Sequence, residues 1–207
     1  INTRVLPKEK SLSSSDATFA AVAAADDACD AKWRSLQTKE EFYLQTRKVH
    51  AAMRDAIGGF PTEAEKCPLN PVIVGKVQKK GYHIEKLYFE SWPGVYVPAN
   101  LFVPDGLKPG EKRAGILVPC GHTNNGKGAD MYQRACVVAV NHGFVVLIFD
   151  PFSQGERKVG GLCAMHNQVG SLAALLGGSM ARYRIWDAMR ALDYLESRPE
   201  VDADRLG

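Results

Sequence analysis

Two polar loops in the second half of the chain carry the residues best suited to chemistry. The first, Pro119-Cys120-Gly121-His122-Thr123-Asn124-Asn125-Gly126-Lys127, follows an apolar run. Its glycines permit sharp turns that aim peptide N–H groups at an anion. The second, Asp150-Pro151-Phe152-Ser153-Gln154-Gly155-Glu156-Arg157, follows the next apolar run. There Glu156 and Arg157 suit an ion-pair or hydrogen-bond network that holds the loop, a more common role for such pairs than catalysis. A plain strand-to-helix turn is the simpler reading of the first loop, because Gly and Asn are frequent in turns.

No nucleophile stands out. The string nearest to a G-x-S-x-G elbow is Gly177-Gly178-Ser179-Met180-Ala181, which lacks the last glycine. The preceding Ser171–Leu176 is rich in Ala and Leu rather than β-branched, so no strand leads into it, and Ser179 is better read as a helix N-cap. Cys120 and His122 share a loop, but no third group is placed to orient the imidazole. His50 and His142 fall in or at the end of predicted helices, His83 on a strand and His166 in a Gly-rich stretch, and no H-x-x-x-H or H-E-x-x-H pattern occurs. The five cysteines, Cys29, Cys67, Cys120, Cys136 and Cys163, are odd in number and form no C-x-x-C pair, so neither a zinc site nor a full disulfide framework is expected. The residues alone offer an anion cradle without a complete catalytic constellation.

The two loops need elements to hold them. Gly115–Pro119 and Phe144–Phe149 are continuous apolar runs, the pattern of strands buried on both faces of a parallel sheet. Met131–His142 between them has helical character and ends at Gly143, giving a βαβ unit. A further amphipathic helix is predicted over Tyr183–Ser197, stopped by Pro199, and Val201–Gly207 reads as a turn into another strand. Upstream, Tyr82–Phe89 and Val95–Val103 flank Trp92-Pro93-Gly94 as an antiparallel hairpin, placed at a sheet edge where Pro98 is tolerated. Glu63–Val74 reads as a Pro-containing connector. In the first third, Ser15 or Asp16 is placed to cap a helix over Ala17–Asp30. A second helix spans about Lys39–Ile57, with Thr38 and Glu41 as a capping box and Gly58-Gly59 as its stop. In open α/β sheets chemistry sits at the carboxyl ends of the strands, where both polar loops fall.

Composition narrows the field. The 207 residues are 45% hydrophobic and 24% charged, with a net charge of +3, values ordinary for a globular chain. No apolar run approaches the twenty or so residues of a membrane span. No Lys/Arg run exceeds two, so neither nucleic acid nor an anionic membrane is expected as a partner. Ile1–Ser15 lacks the apolar core of a signal peptide, which fits a cytoplasmic protein or a mature chain already processed.

With these residues in view, the sequence resembles the α/β-hydrolase superfamily, and within it the acetyl xylan esterase-like enzymes related to dienelactone-hydrolase and prolyl-oligopeptidase-type hydrolases. The resemblance runs from about Leu36 to Gly207. It is carried by Cys67-Pro68-Leu69-Asn70, Gly81–Lys86, Glu90-Ser91-Trp92-Pro93-Gly94-Val95-Tyr96-Val97 and Ala99–Pro104. Gly121-His122 with Gly126-Lys127, Asp150 with Gly155-Glu156-Arg157, and Trp186–Leu195 complete it.

The resemblance implies an N-terminal helical segment over residues 1–66 and the first half of an α/β-hydrolase domain over 67–207, a mostly parallel sheet with an antiparallel edge hairpin. It implies that the Gly121-His122-Thr123 loop is the oxyanion-hole loop, with the backbone N–H of His122 as donor. It places the nucleophile, acid and base beyond residue 207, so that the chain is a fragment, or one piece of a cleaved enzyme that a C-terminal chain completes, and is inactive alone. The implied activity is serine-dependent hydrolysis of an esterified carbohydrate or other small ester, without cofactor or metal, in a secreted or periplasmic setting. The alternatives are a non-catalytic binding module on a hydrolase scaffold and a related peptidase.

Overall fold

The computed structural model describes residues 14–158 and 164–207. The chain divides into two compact units, one up to Met53 and one from Arg54 to Gly207. The first holds α1 (Ser14–Arg34) and most of α2 (Lys39–Ala56). α1 begins ahead of Ser15 and Asp16, so both lie inside the helix rather than capping it. The expected capping box of α2 is present: Thr38 Oγ1 accepts from Glu41 N at 3.1 Å, and Glu41 Oε2 accepts from Thr38 N at 3.1 Å. Trp33 and Phe42 pack with ring centroids 5.4 Å apart, joining the two helices.

The second unit is built on a six-stranded sheet in the order β1-β2-β3-β5-β4-β6. Its strands are β1 (Val72–Gln78), β2 (Tyr82–Trp92), β3 (Val95–Pro104), β4 (Arg113–Pro119), β5 (Val145–Phe149) and β6 (Val201–Leu206). Two expectations are corrected here. The hairpin β2–β3 is not an edge, because β1 pairs antiparallel with β2 and β3 pairs antiparallel with β5. The end of the supposed connector is thus strand: Val72-Ile73-Val74-Gly75-Lys76-Val77-Gln78 has β-branched residues, but a register shift at Gly75 breaks its alternation. Pro98 is tolerated for a different reason. Its carbonyl accepts from Asp150 N, just beyond Phe149 at the end of β5. A residue's N–H and C=O point to the same side of an antiparallel strand, so the missing donor falls where β5 has ended.

The expected βαβ unit is present. β4 and β5 pair in parallel, linked by α3 (Asp130–Asn141), and β6 adds in parallel to the other side of β4. All five residues of β5 are buried. The sheet separates two apolar layers. Leu87, Phe89, Val97, Leu101 and Leu147 pack with Ala191, Tyr194 and Leu195 of α5 (Met180–Glu196). On the opposite face Tyr82, Phe102, Val146 and Ile148 pack with Cys136 and Val140 of α3. Each such fully buried aliphatic or aromatic side chain contributes roughly 1.5–3 kcal/mol of transfer free energy.

α5 starts further upstream than expected, with Ser179 as its N-cap, its Oγ accepting from Ala181 N at 3.2 Å. Two buried side chains of α5 reach backbone carbonyls: Trp186 Nε1 donates to Ser91 O at 2.8 Å and Arg190 Nη2 to Cys67 O at 2.6 Å. The Gly-rich stretch around His166 contains a helix, α4 (Ala164–Leu175), whose Ala and Leu residues are concentrated in its second half. No helix among the described residues is long and apolar enough to cross a membrane.

Candidate functional site

The register of β4 and β5 puts Pro119 opposite Phe149, so the two polar loops leave the same end of the sheet side by side. Asp150, fully buried, joins them. Its Oδ1 accepts from Lys127 N at 2.7 Å, and its Oδ2 accepts from Lys127 Nζ at 2.6 Å and from Glu156 N at 2.9 Å. Lys127 Nζ also donates to Glu156 Oε1. Gly126 (φ 51°) and Gly155 (φ 56°) line this carboxylate so closely that a Cβ on either would collide with it. Both glycines are thus required twice, by backbone conformation and by space.

The expected network role of Glu156 and Arg157 is present. Arg157 Nη1 donates to Asp187 Oδ2 at 2.5 Å and to Asp150 O at 3.3 Å, and its guanidinium lies 4.3 Å from the Phe152 ring centroid. This fastens the second loop to the buried face of α5. Ser153 sits in the same loop at φ 67°, an unusual conformation for a residue with a side chain.

The loop carrying His122 is clamped on both sides. Gly121 N donates to Tyr132 Oη at 2.7 Å, and Thr123 N donates to the buried Gln154 Oε1. Thr123 Oγ1 accepts from Asn125 N at 3.2 Å, continuing the turn. Gln133 Nε2 then donates to Lys127 O at 2.6 Å, anchoring the far end of the loop to α3. His122 itself is exposed.

Cys120 is no partner for His122. Its thiol donates to Phe149 O at 3.3 Å, and burial, helped by the nearby Asp150 charge, pushes its pKa up to about 12. A thiol so held is protonated at neutral pH and is a poor nucleophile. Ser179 is occupied in capping α5. His142 Nδ1 lies 2.8 Å from Val138 O, and His83 lies between Glu85 and Asp105. Among the described residues no group of three or more His, Cys, Asp or Glu side chains is arranged to hold a metal ion.

Sequence reasoning placed Lys127, Asp150, Glu156 and Arg157 in the right loops without pairing them across the two loops. It missed Asp187, Gln154 and Tyr132. A signal existed for Asp187: it lies on the helical face that also carries Ala191 and Tyr194, and a charge in a core-facing stripe demands a partner. Nothing local marks Gln154 or Tyr132.

A cleft of about 1030 Å³ opens beside the two loops. Its floor is the sheet face carrying Lys86, Tyr88, Tyr96, Pro98 and Asn100, and its wall includes Asn124, Asn125, Glu156 and Lys158. His122 precedes this wall on the same loop.

Comparison with known proteins places this geometry. The family model of the Abhydrolase family matches residues 9–206. Among solved structures, a protein assigned as an acetyl xylan esterase from Bacteroides fragilis NCTC 9343 superposes with a TM-score of 0.68 at 19% identity, covering 98% of this chain and 55% of its own. A methylesterase gives 0.65 at 24% identity, covering 86% and 38%. Acetyl xylan esterase 1 from Thermoanaerobacterium sp. JW/SL YS485 gives 0.56 at 20% identity, covering 70% and 46%. The chain therefore spans about half the length of these structures or less, and at such identities they establish the fold. No curated protein matches the sequence. The family match over nearly the whole chain agrees with the α3 crossover between parallel β4 and β5, and the chain belongs to the Abhydrolase family of α/β-hydrolases.

Proposed function

We propose that the protein is a serine ester hydrolase acting on esterified carbohydrate, in which the backbone N–H of His122 donates to the oxyanion. The nucleophile, acid and general-base histidine belong to sequence outside residues 1–207, and these residues alone give no turnover. The observation that carries the reading is the double clamp on the His122 peptide. With Gly121 N held by Tyr132 and Thr123 N by Gln154, the loop at the carboxyl end of β4 holds a fixed backbone orientation before substrate arrives. Fixed donors of this kind stabilise charge that develops in the transition state and are each worth about 10²–10³ in kcat. The likeness in fold to structures described as acetyl xylan esterases supports the substrate class.

In the reaction the serine gives its proton to the base histidine as its oxygen bonds to the ester carbonyl carbon, and the carbonyl π electrons move onto the oxygen facing His122 N–H. Collapse of that intermediate expels the sugar alkoxide, which takes a proton from the base histidine. Water, deprotonated by the same base, then releases the acid from the acyl-enzyme. A polysaccharide substrate goes with a secreted or periplasmic location.

The test is labelling of the intact protein with a fluorophosphonate probe, followed by peptide mapping, alongside turnover of a chromogenic acetate ester. The label is expected on a serine outside residues 1–207; a label on Ser179, or turnover by residues 1–207 alone, overturns the assignment. His122→Pro removes the N–H and is expected to lower kcat by about 10²–10³, whereas His122→Ala retains it and most of the activity. Equal losses in the two variants would exclude the backbone role.

A further inference from the structure

The cleft beside the site has a floor unlike the rest of its sheet face. Side chains alternate along a strand, so Ile84, Lys86 and Tyr88 of β2 share one face, as do Phe102, Asn100, Pro98 and Tyr96 of β3. Ile84 and Phe102 lie in the apolar layer against α3. The residues that follow on that face floor the cleft, and they change from apolar to Lys, Tyr and Asn. A face destined to be buried under another protein layer would continue the apolar pattern; this one does not.

Three features describe the ligand it fits. Tyr88 and Tyr96 meet edge to face, with ring centroids 5.4 Å apart and planes at 85°, leaving Tyr96 half exposed. Glu90, which accepts from Asn70 Nδ2 at 3.1 Å, stands directly opposite Tyr96 in the β2–β3 register. Asn100, Asn124 and Asn125 add amides that both donate and accept. Finally, the three lysines of the cleft are not equivalent. Lys127 is compensated by Asp150 and Glu156, whereas Lys86 on the floor and Lys158 on the wall form no ion pair among the described residues.

We propose that this cleft binds a saccharide chain bearing free carboxylates, with a sugar ring on Tyr96 and carboxylates at Lys86 and Lys158. An aromatic face receives the C–H side of a sugar ring, amides match its hydroxyls, and ammonium groups make charge-assisted bonds to its carboxylates. The wall of the cleft continues the loop of His122, so a chain seated there runs toward the ester that the proposed activity would cleave. Only this last link rests on the hydrolase reading.

The test is calorimetric titration of the intact protein with ester-free probes: galacturonate tetrasaccharide, neutral xylotetraose and a glutamate tetrapeptide. The acidic saccharide is expected to bind at least about tenfold more tightly than either of the others, and less tightly as salt rises. Lys86→Ala/Lys158→Ala is expected to lose about tenfold and most of the salt dependence, and Tyr96→Ala to weaken the saccharide as well. Lys86 and Lys158 are exposed, so circular dichroism should show unchanged folding. Equal binding of xylotetraose, equal binding of the acidic peptide, no effect of the lysine changes, or no binding of the acidic saccharide would each overturn the proposal. None of the probes contains an ester, so these outcomes leave the fluorophosphonate test of the hydrolase reading untouched.

Discussion

Lys127 grips both carboxylate oxygens of Asp150, its peptide N–H 2.7 Å from Oδ1 and its Nζ 2.6 Å from Oδ2. One residue of the loop after β4 thereby holds the residue that follows β5, and the pair is buried. Removing one partner of a buried ion pair leaves an uncompensated charge or an unsatisfied donor. Asp150→Asn must turn its amide toward an existing donor, and Lys127→Met strands a carboxylate. Each is expected to cost about 3–5 kcal/mol, read as a lower urea midpoint with an unchanged m-value. The double variant should lose clearly less than the sum; strict additivity would show that the two side chains are not coupled.

Gly155 and Gly59 separate space from backbone strain. Both have positive φ, 56° and 70°, but a Cβ on Gly155 would strike the Asp150 carboxylate whereas one on Gly59 meets nothing within 4 Å. Gly59→Ala should cost about 1–2 kcal/mol from conformation alone. Gly155→Ala should cost at least about 3 kcal/mol, because Asp150 must move from its donors. Equal thermal shifts for the two would refute the close approach.

Thiol reactivity reports burial at the same place. Cys29 is exposed, while burial pushes Cys120 and Cys136 each up to about 12. Iodoacetamide at pH 8 should therefore alkylate Cys29 in the native protein and spare Cys120 and Cys136 until denaturant is added. Native labelling of Cys120 at the rate of Cys29, seen by peptide mass, would contradict the protonated, enclosed thiol.

The capping box of α2 gives a pH prediction. Hydrogen bonds from Gln37 N (2.8 Å) and Thr38 N hold the Glu41 carboxyl below its ordinary value of 4.5. A carboxyl with a depressed folded value stabilises above its unfolded value and loses that contribution as pH falls through the folded one. Acidification below about 4.5 should thus loosen the start of α2, seen as shifts of the Gln37 and Thr38 amide resonances. Glu41→Gln should abolish the titration of those two resonances; their persistence would place its origin elsewhere.

Much of this architecture was legible from pattern. The apolar runs before Cys120 and Asp150 marked parallel strands, Gly143 ended α3, and Thr38 with Glu41 opened α2, because each depends on neighbours within a few positions. β1 was missed since its alternation breaks at Gly75, and α4 since polar and glycine residues surround its apolar half. Both are elements whose local signal is weak and whose place is set by what they pack against.

For the site the division lies between residue types and their partners. The sequence by itself determined that two turn-forming loops with Gly, His, Lys, Asp, Glu and Arg follow two buried strands, since strand burial and turn chemistry are local properties. Only the tertiary structure decided that Lys127 pairs with Asp150, Arg157 with Asp187, and Thr123 with Gln154. Those contacts join positions far apart in sequence, and a buried charge selects its partner by which oxygen the parallel register and the helix packing bring within hydrogen-bond distance.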